Sequence, residues 1–472
     1  MYPGQTSFMP VQVALARWLE TVGWRGAITS NYPYWYLGTT PFRHLTGPVL
    51  PGLLVGLHRL LPGFNWFEWL WWLMLGFYLI SLGGVYWLVR ELGGGKRAAA
   101  GAAGFYGFGW FTVWSLSVTD GLSLISFASL IYGLVLGVRL LKKSSRKRLI
   151  SLGIVISFVL LLNSLMVPSL VLGMGVICLA VGRWKKLEAR LKLIGKVLMA
   201  SWLGVTLLWY GWSYWWRLLL APSFAGKATF KVIGEVGKLL PMVLALSLAV
   251  LGGRIVRLKS RLAKFSFYWL LVFGFLSLMR FMADPDFWLD WLVYGWELQL
   301  GIAIGLGWWL GRAKNRKDWF LRGVSLGVAV LVWLGLFKNV SKGMQRYVTE
   351  GVEYRIGEVL SRLVKPGERV FLSGSTVFWL NGWFDIAQVR GGVDKASVNP
   401  DWRQAAWEIR EGTEVERSLE WLDRLKVTWL VVHGPESEEV YDDFKHPEKF
   451  TEVEGLKKVY DEAGDQIYKL VD

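Results

Sequence analysis

The chain has 472 residues, 53% of them hydrophobic and only 19% charged, and it holds 30 Trp, a balance that excludes an ordinary soluble domain and reads as a polytopic membrane protein. Its net charge of +17 is unevenly spread: residues 1–341 carry 35 Lys and Arg against 11 Asp and Glu, and residues 342–472 carry 18 against 25. No basic domain is left over once the membrane loops are accounted for, which argues against nucleic-acid binding.

The first stretch with a character of its own is 31–52, NYPYWYLGTTPFRHLTGPVLPG. Pro33, Pro41, Pro48 and Pro51 each lack a backbone donor and crowd the preceding turn, so the run reads as an ordered loop rather than one helix. Ahead of it, Leu15, Leu19 and Val22 recur at helical spacing within 14–24, which predicts an amphipathic helix on the membrane surface.

A helix crosses the hydrocarbon core in about 20 apolar residues. That criterion predicts ten crossings, near 65–90, 97–117, 121–141, 149–163, 165–182, 195–218, 236–254, 265–282, 291–311 and 322–339. Asn163, Ser164 and Pro168 interrupt the apolar run of the fourth and fifth, which reads as a tight hairpin. Basic clusters at 90–97, 139–148, 183–196, 254–264 and 312–322 separate alternate crossings and hold 25 of the 35 basic residues. The positive-inside rule makes them cytoplasmic, in a multi-pass protein of the plasma membrane. Residues 1–64 and 342–472 then lie outside, with 65–341 as the transmembrane bundle. An outside segment of 64 residues calls for a crossing ahead of it, so a first transmembrane helix preceding Met1 is expected, with 1–64 as its extracytoplasmic loop. The single cysteine, Cys178, excludes an intrachain disulfide.

After Lys342 the apolar runs shorten and charge becomes dense. Helices are predicted at 346–364, 401–411 and 414–425, strands at 369–373, 386–390 and 427–433, and a closing hairpin pairs 456–460 with 466–471. This is the pattern of a small extracytoplasmic α/β domain.

Outward acids are few. Asp120 sits in the short turn between two crossings, where it could cap the next helix, bind a divalent metal or meet a sugar hydroxyl. Asp284, Asp286, Asp290 and Glu297 form a second group, opened by Arg280. Asp290 and Glu297 share a helix face and should point into the bundle, because charge facing lipid is costly; pairing with Arg280 for structure alone is the rival reading. Arg43, His44, His58 and Arg59 are outward basic groups suited to a phosphate or to ordinary lipid headgroups. The run Gly93-Gly94-Gly95-Lys96 lacks the phosphate-loop spacing, and Ser373-Gly374-Ser375 reads as a strand-to-helix turn.

Tyr36-Leu37-Gly38-Thr39-Thr40-Pro41-Phe42 followed by Gly47-Pro48, then Tyr86-Trp87-Leu88-Val89-Arg90 ahead of the Ala-rich 97–103, carry a family resemblance. The tail adds 427–433, Val459-Tyr460 and Ile467-Tyr468. With these features the chain resembles polytopic proteins with a glycosyltransferase family C (GT-C) type membrane domain, including those labelled pyruvoyl-tetrahydropterin synthase-related membrane proteins. The resemblance implies transfer of a sugar from a polyprenyl-phosphate carrier to an extracytoplasmic acceptor. It also implies an acid in the first external loop and another in the next. Asp120 falls in the second place, as base or as ligand to a divalent metal (Mg or Mn). The first place departs from the family pattern: Gln5-Thr6-Ser7-Phe8 stands where an Asp is expected, so either that acid precedes Met1, or Glu20 or Glu68 substitutes, or the protein is not catalytic. Arg43, His44, Arg280, Asp290 and Glu297 would then bind substrate. The alternative from another class is a noncatalytic membrane transporter or a cell-envelope assembly scaffold.

Overall fold

The structure, a computed structural model, describes residues 8–44, 47–117, 120–181, 186–215, 240–256, 258–283, 291–313, 350–392 and 401–471, with scattered positions between 315 and 327. Its contacts form two units, one joining Met1–Leu70 to Lys342–Asp472 and one holding Trp71–Ala221 and Ala228–Ser341.

In the first unit, α1 (Phe8–Thr29) is a helix kinked at Gly23. The apolar residues Leu15 and Leu19 are buried, against α3 (Val49–Leu60) and a helix from the far end of the chain. The face expected to rest on the membrane surface is thus covered by protein, whose packed side chains offer the same apolar contact as lipid. Between α1 and α3 the proline-rich run is not helical until α2 (Pro41–His44), and Pro51 falls in the first turn of α3, where a missing N–H is no loss. Residues 352–470 contribute α14 (Val352–Leu363), β1 (Arg369–Phe371), α15 (Thr376–Trp383), β2 (Ala387–Gln388), α16 (Asp401–Glu411), α17 (Val415–Arg424), β3 (Trp429–His433), β4 (Leu456–Glu462) and β5 (Asp465–Leu470). One five-stranded sheet runs β2-β1-β3-β5-β4. β2, β1 and β3 are parallel, and the closing hairpin is antiparallel. Its core is Ile356, Leu360, Val370, Val377, Leu380, Val431 and Ile467.

The edge strand β2 is covered by the loop after α1. Gln388 N donates to Tyr34 O at 3.0 Å, and Tyr36 Oη donates to Gly391 O at 3.1 Å. Asn381 is the buried hub beneath. Its Oδ1 accepts from Trp35 Nε1 (2.9 Å) and Gln388 Nε2 (2.7 Å), and its Nδ2 donates to Phe384 O and Ile386 O. A covered edge cannot pair with another chain, and every polar atom of the buried amide is met.

The second unit is a helical bundle: the body of α4 (Trp66–Glu91), then α5 (Lys96–Gly107), α6 (Trp110–Ser117), α7 (Gly121–Lys142), α8 (Arg146–Leu162), α9 (Val167–Ala180), α10 (Leu187–Val205, continued by a π turn to Tyr210), α11 (Leu240–Ile255), α12 (Arg261–Ala283) and α13 (Trp291–Gly311). By length and composition, Trp66–Glu91, Gly121–Lys142, Leu187–Tyr210 and Arg261–Met279 can each cross a membrane. The tenth expected crossing, 322–339, lies almost wholly outside the described residues.

Helix directions follow from the contacts. Gly133 and Gly137 of α7 face Met174, with Ile177 beside Gly137, so α7 and α9 run the same way. Ser201 and Tyr210 donate to Gly153 O and Leu160 O, so α8 and α10 share the other direction and α8 with α9 forms the expected hairpin. α12 and α13 are antiparallel, with Ser266 donating to Gly301 O and Trp269 to Glu297 O. These alternations put Arg139, Lys142, Lys186, Arg190 and Arg261 at one end of the bundle.

α5 and α13 pack closely because both carry small residues. Gly307 and Gly311 of α13 oppose Ala98 and Ala102 of α5, and a Cβ built on Gly307 would lie 2.5 Å from Ala98 O and 2.8 Å from Ala102 N. A Cβ on Gly104 meets nothing within 4 Å. Gly307→Ala is therefore expected to lower the thermal midpoint of the solubilised chain, by about 1–3 kcal/mol of overpacking. Gly104→Ala should leave it unchanged or raise it through helix propensity. Equal effects of the two substitutions would show that backbone approach does not govern this interface.

Candidate functional site

The polar centre of the bundle grows from a break in a helix. Phe108 and Gly109 part α5 from α6 inside an apolar segment, which exposes backbone groups where lipid offers no partner. Gln299 of α13 meets them. Its Nε2 donates to Tyr106 O (2.8 Å) and Thr112 Oγ1 (2.6 Å), and its Oε1 accepts from Phe111 N (2.7 Å). Thr112 Oγ1 donates to Tyr106 O as well, at 2.9 Å. Gly109 is required, because a Cβ there would collide with the Gln299 carboxamide.

Glu297 stands two residues earlier on α13 and is fully buried. Both of its carboxyl oxygens lack a hydrogen-bond partner among the described residues. The hydroxyls of Ser169 on α9, Ser277 on α12 and Tyr106 on α5 are likewise buried and unmet. Ser169 lies beside the carboxyl, at a geometry short of a good hydrogen bond. Around them Tyr106, Phe127 and Trp296 stack, with the Phe127 and Trp296 centroids 5.5 Å apart. An acid this deep in a bundle, beside the Ser169 hydroxyl, marks a polar interior able to receive a hydroxyl or a cation. Sequence reasoning found Glu297 but missed Gln299, Tyr106 and Ser169. The available signals were the polar Gln two residues after Glu297 in an apolar run and the Gly-Phe-Gly of 107–109.

Asp120 is almost wholly buried and caps α7: its Oδ1 accepts from Ser123 N at 3.1 Å, and its own N donates to Ser115 O at 2.9 Å. Burial raises the carboxyl above the usual carboxylate range, against the Ser123 bonds that pull it down. Among the described residues no group of three or more His, Cys, Asp or Glu could hold a metal.

In the first unit, Glu20 of α1 lies 3.4 Å from His58 Nδ1 and 3.6 Å from Arg59 Nε. His58 stacks on Trp66 with centroids 4.0 Å apart. Two of the expected outward basic groups thus hold the expected outward acid. Glu68 caps the start of α4, accepting from Asn65 N at 2.9 Å. Arg43 and His44 lie in α2 and Arg280 in α12, and their side chains are outside the described residues. Asp284, Asp286 and Asp290 are outside them altogether.

The turn Ser373-Gly374-Ser375 sits at the carboxyl end of β1, where parallel sheets commonly bind anions. Here the chain's own carboxylates fill that position: Glu439 accepts from Ser375 N (2.7 Å), and Asp443 accepts from Ser373 Oγ, Gly374 N (3.1 Å) and Arg410 (2.7 Å). Nearby, Asp465 binds His433 Nδ1 (2.7 Å), Arg355 (2.8 Å) and Ser437. Burial works to raise Asp443 and Asp465, but these donors hold both below the usual carboxylate range.

No protein-family model matches the sequence, and no curated protein matches it. Solved structures do resemble the fold. The oligosaccharyltransferase of Archaeoglobus fulgidus in complex with Zn and sulfate is 12% identical, with a TM-score of 0.51 over 91% of this chain and 64% of that one. The chain thus spans a little under two thirds of that protein's length. The archaeal oligosaccharyltransferase AglB from the same organism, in complex with an inhibitory peptide and a dolichol-phosphate, gives 12% and 0.51 over 100% and 71%. ArnT from Cupriavidus metallidurans bound to undecaprenyl phosphate gives 12% and 0.51 over 99% and 94%. The likeness is one of fold: this is a multi-pass membrane protein with a GT-C-like architecture.

Gln299→Leu takes away the acceptor of Phe111 N and one of the donors to Tyr106 O, and it should destabilise the solubilised chain by about 1–3 kcal/mol, read as a lowered unfolding midpoint. An unchanged midpoint would mean that water replaces the carboxamide. For Asp443 and Asp465, a lowered folded pKa gives stability that is complete above the ordinary carboxylate range. It is lost as pH falls below about 4 and through the folded values. Hydrogen exchange over 429–470 should accelerate in that window, and Asp465→Asn should accelerate it at neutral pH and flatten the acid limb.

Proposed function

We propose that the chain is a membrane glycosyltransferase that moves a sugar from a polyprenyl-phosphate carrier to an acceptor on the extracytoplasmic side. The observation that carries the reading is the fold likeness to ArnT bound to undecaprenyl phosphate, which extends over nearly the whole of both chains. Ten crossings, with cytoplasmic basic loops and with 1–64 and 342–472 outside, belong to the same proposal. So does the division into 1–64, 65–341 and 342–472.

In this reading Asp120 takes the proton from the acceptor hydroxyl, and the freed oxygen attacks the anomeric carbon. The bond from that carbon to the phosphate oxygen breaks, and polyprenyl phosphate leaves. A buried carboxyl whose proton affinity is raised is better matched to this work than an exposed one. Arg43 or Arg280 stabilises the departing phosphate, and His44 also binds substrate. Glu297 and Asp290 bind sugar hydroxyls within the bundle, and Glu20 holds the outer acid position with His58 and Arg59. No step here passes through a metal.

A second reading, noncatalytic transport of a lipid or polymer, draws on one observation: the unmet carboxyl of Glu297 beside the unmet hydroxyl of Ser169. The two readings part on chemistry. Asp120→Asn keeps the helix cap, because asparagine caps about as well as aspartate, and removes the proton acceptor. In a lipid-linked sugar transfer assay on the full chain, the rate should fall by about 10²–10⁴-fold while the unfolding midpoint holds. Undiminished transfer by Asp120→Asn would sink its role as base, and lipid movement without any transfer by the wild type would favour transport.

A further inference from the structure

The bundle holds a second polar place, at the other end of α7 from Asp120. The 22 residues of that helix set it roughly 33 Å away. A cavity of about 390 Å³ opens there between the end of α7, the residue following α9, the start of α10 and the start of α12. Lys142, Lys186, Arg190 and Arg261 line it, and among the described residues no carboxylate does.

The acids nearby are already engaged. Glu91 binds Arg139 (2.8 Å) and Lys142 (2.9 Å), and Glu188 binds Lys192 (2.7 Å). Arg190 is buried and held in place, its Nη1 donating to Cys178 O and Val181 O at the carboxyl end of α9. Lys186 and Arg261 are exposed and meet no carboxylate among the described residues. Leu141 and Leu193 supply an apolar wall.

A solvated basic face would need no cavity and would tolerate acids within it. Cations gathered around one open cavity repel each other, and an anion placed among them relieves that repulsion. We infer that this cavity binds the phosphate headgroup of an anionic phospholipid, with Arg190 as a fixed positive charge, Lys186 and Arg261 closing on the phosphate, and the leucines against the glycerol end. A basic pocket between helices at a membrane surface suits such a headgroup. The inference requires a membrane-embedded bundle and is independent of any transfer activity.

The full chain in detergent would be titrated with phosphatidylglycerol and with phosphatidylcholine and read by native mass spectrometry. Wild type should retain phosphatidylglycerol preferentially. The double variant Lys186→Glu with Arg261→Glu should lose about tenfold or more in affinity. Lys147→Glu, an exposed cation outside the cavity lining, should retain wild-type affinity. The milder pair Lys186→Gln with Arg261→Gln should fall between wild type and the reversal, with unchanged unfolding, which separates lost binding from lost fold. Equal retention by the reversed pair, or an equal loss in Lys147→Glu, would overturn the site in favour of diffuse surface charge. Displacement of the lipid by millimolar inorganic phosphate, with phosphate retained at that affinity by itself, would assign the site to free phosphate and overturn the lipid assignment.

Discussion

In hydrocarbon no solvent meets a backbone donor or acceptor, so any interruption of a crossing helix must be answered from within the protein. The bundle depends on one such answer. Gln299 satisfies both sides of the break between α5 and α6, bonding Tyr106 O and Phe111 N at once. The break redirects the chain into α6 and toward Asp120, and the carboxamide that seals it belongs to the helix that also carries Glu297. Close packing of α13 on α5 through Gly307, Gly311, Ala98 and Ala102 brings Gln299 within reach. Small residues, a helix break and a buried acid are therefore parts of one arrangement.

Charge follows the same economy at the ends of the helices. Arg190 spends its guanidinium on the carbonyls that end α9, and Glu91 gathers Arg139 and Lys142 across from α4. These pairings are partly exposed and contribute little stability individually. Their weight lies in geometry, because they draw the basic ends of several helices around one cavity.

The first unit shows how both ends of the chain make one body. The run 31–40 lies along the edge of a sheet whose strands come from beyond residue 368, and Asn381 binds loop, helix and strand together. α1 finds its apolar partner in α15 and α3. At the carboxyl end of β1, Glu439 and Asp443 fill the position where a sheet of this kind would meet an anion. That turn is a closed piece of structure.

Much of this was legible in the sequence. Runs of apolar residues and alternating basic clusters determined the helices and their alternation, because hydrophobic length and loop charge are local properties. The predicted crossing at 291–311 coincides with α13, and the strands of the closing hairpin fall within a few residues of their predicted bounds. Asp120 and Glu297 were visible as rare acids in apolar surroundings. What the sequence could not determine was every partnership between distant positions. Gln299 with Tyr106, Ser169 beside Glu297, Trp35 on Asn381 and the burial of α1 each join residues that no periodicity or spacing connects. Only the tertiary structure decided those, since a side chain's partner is set by how helices and strands pack, and packing is a property of the whole chain.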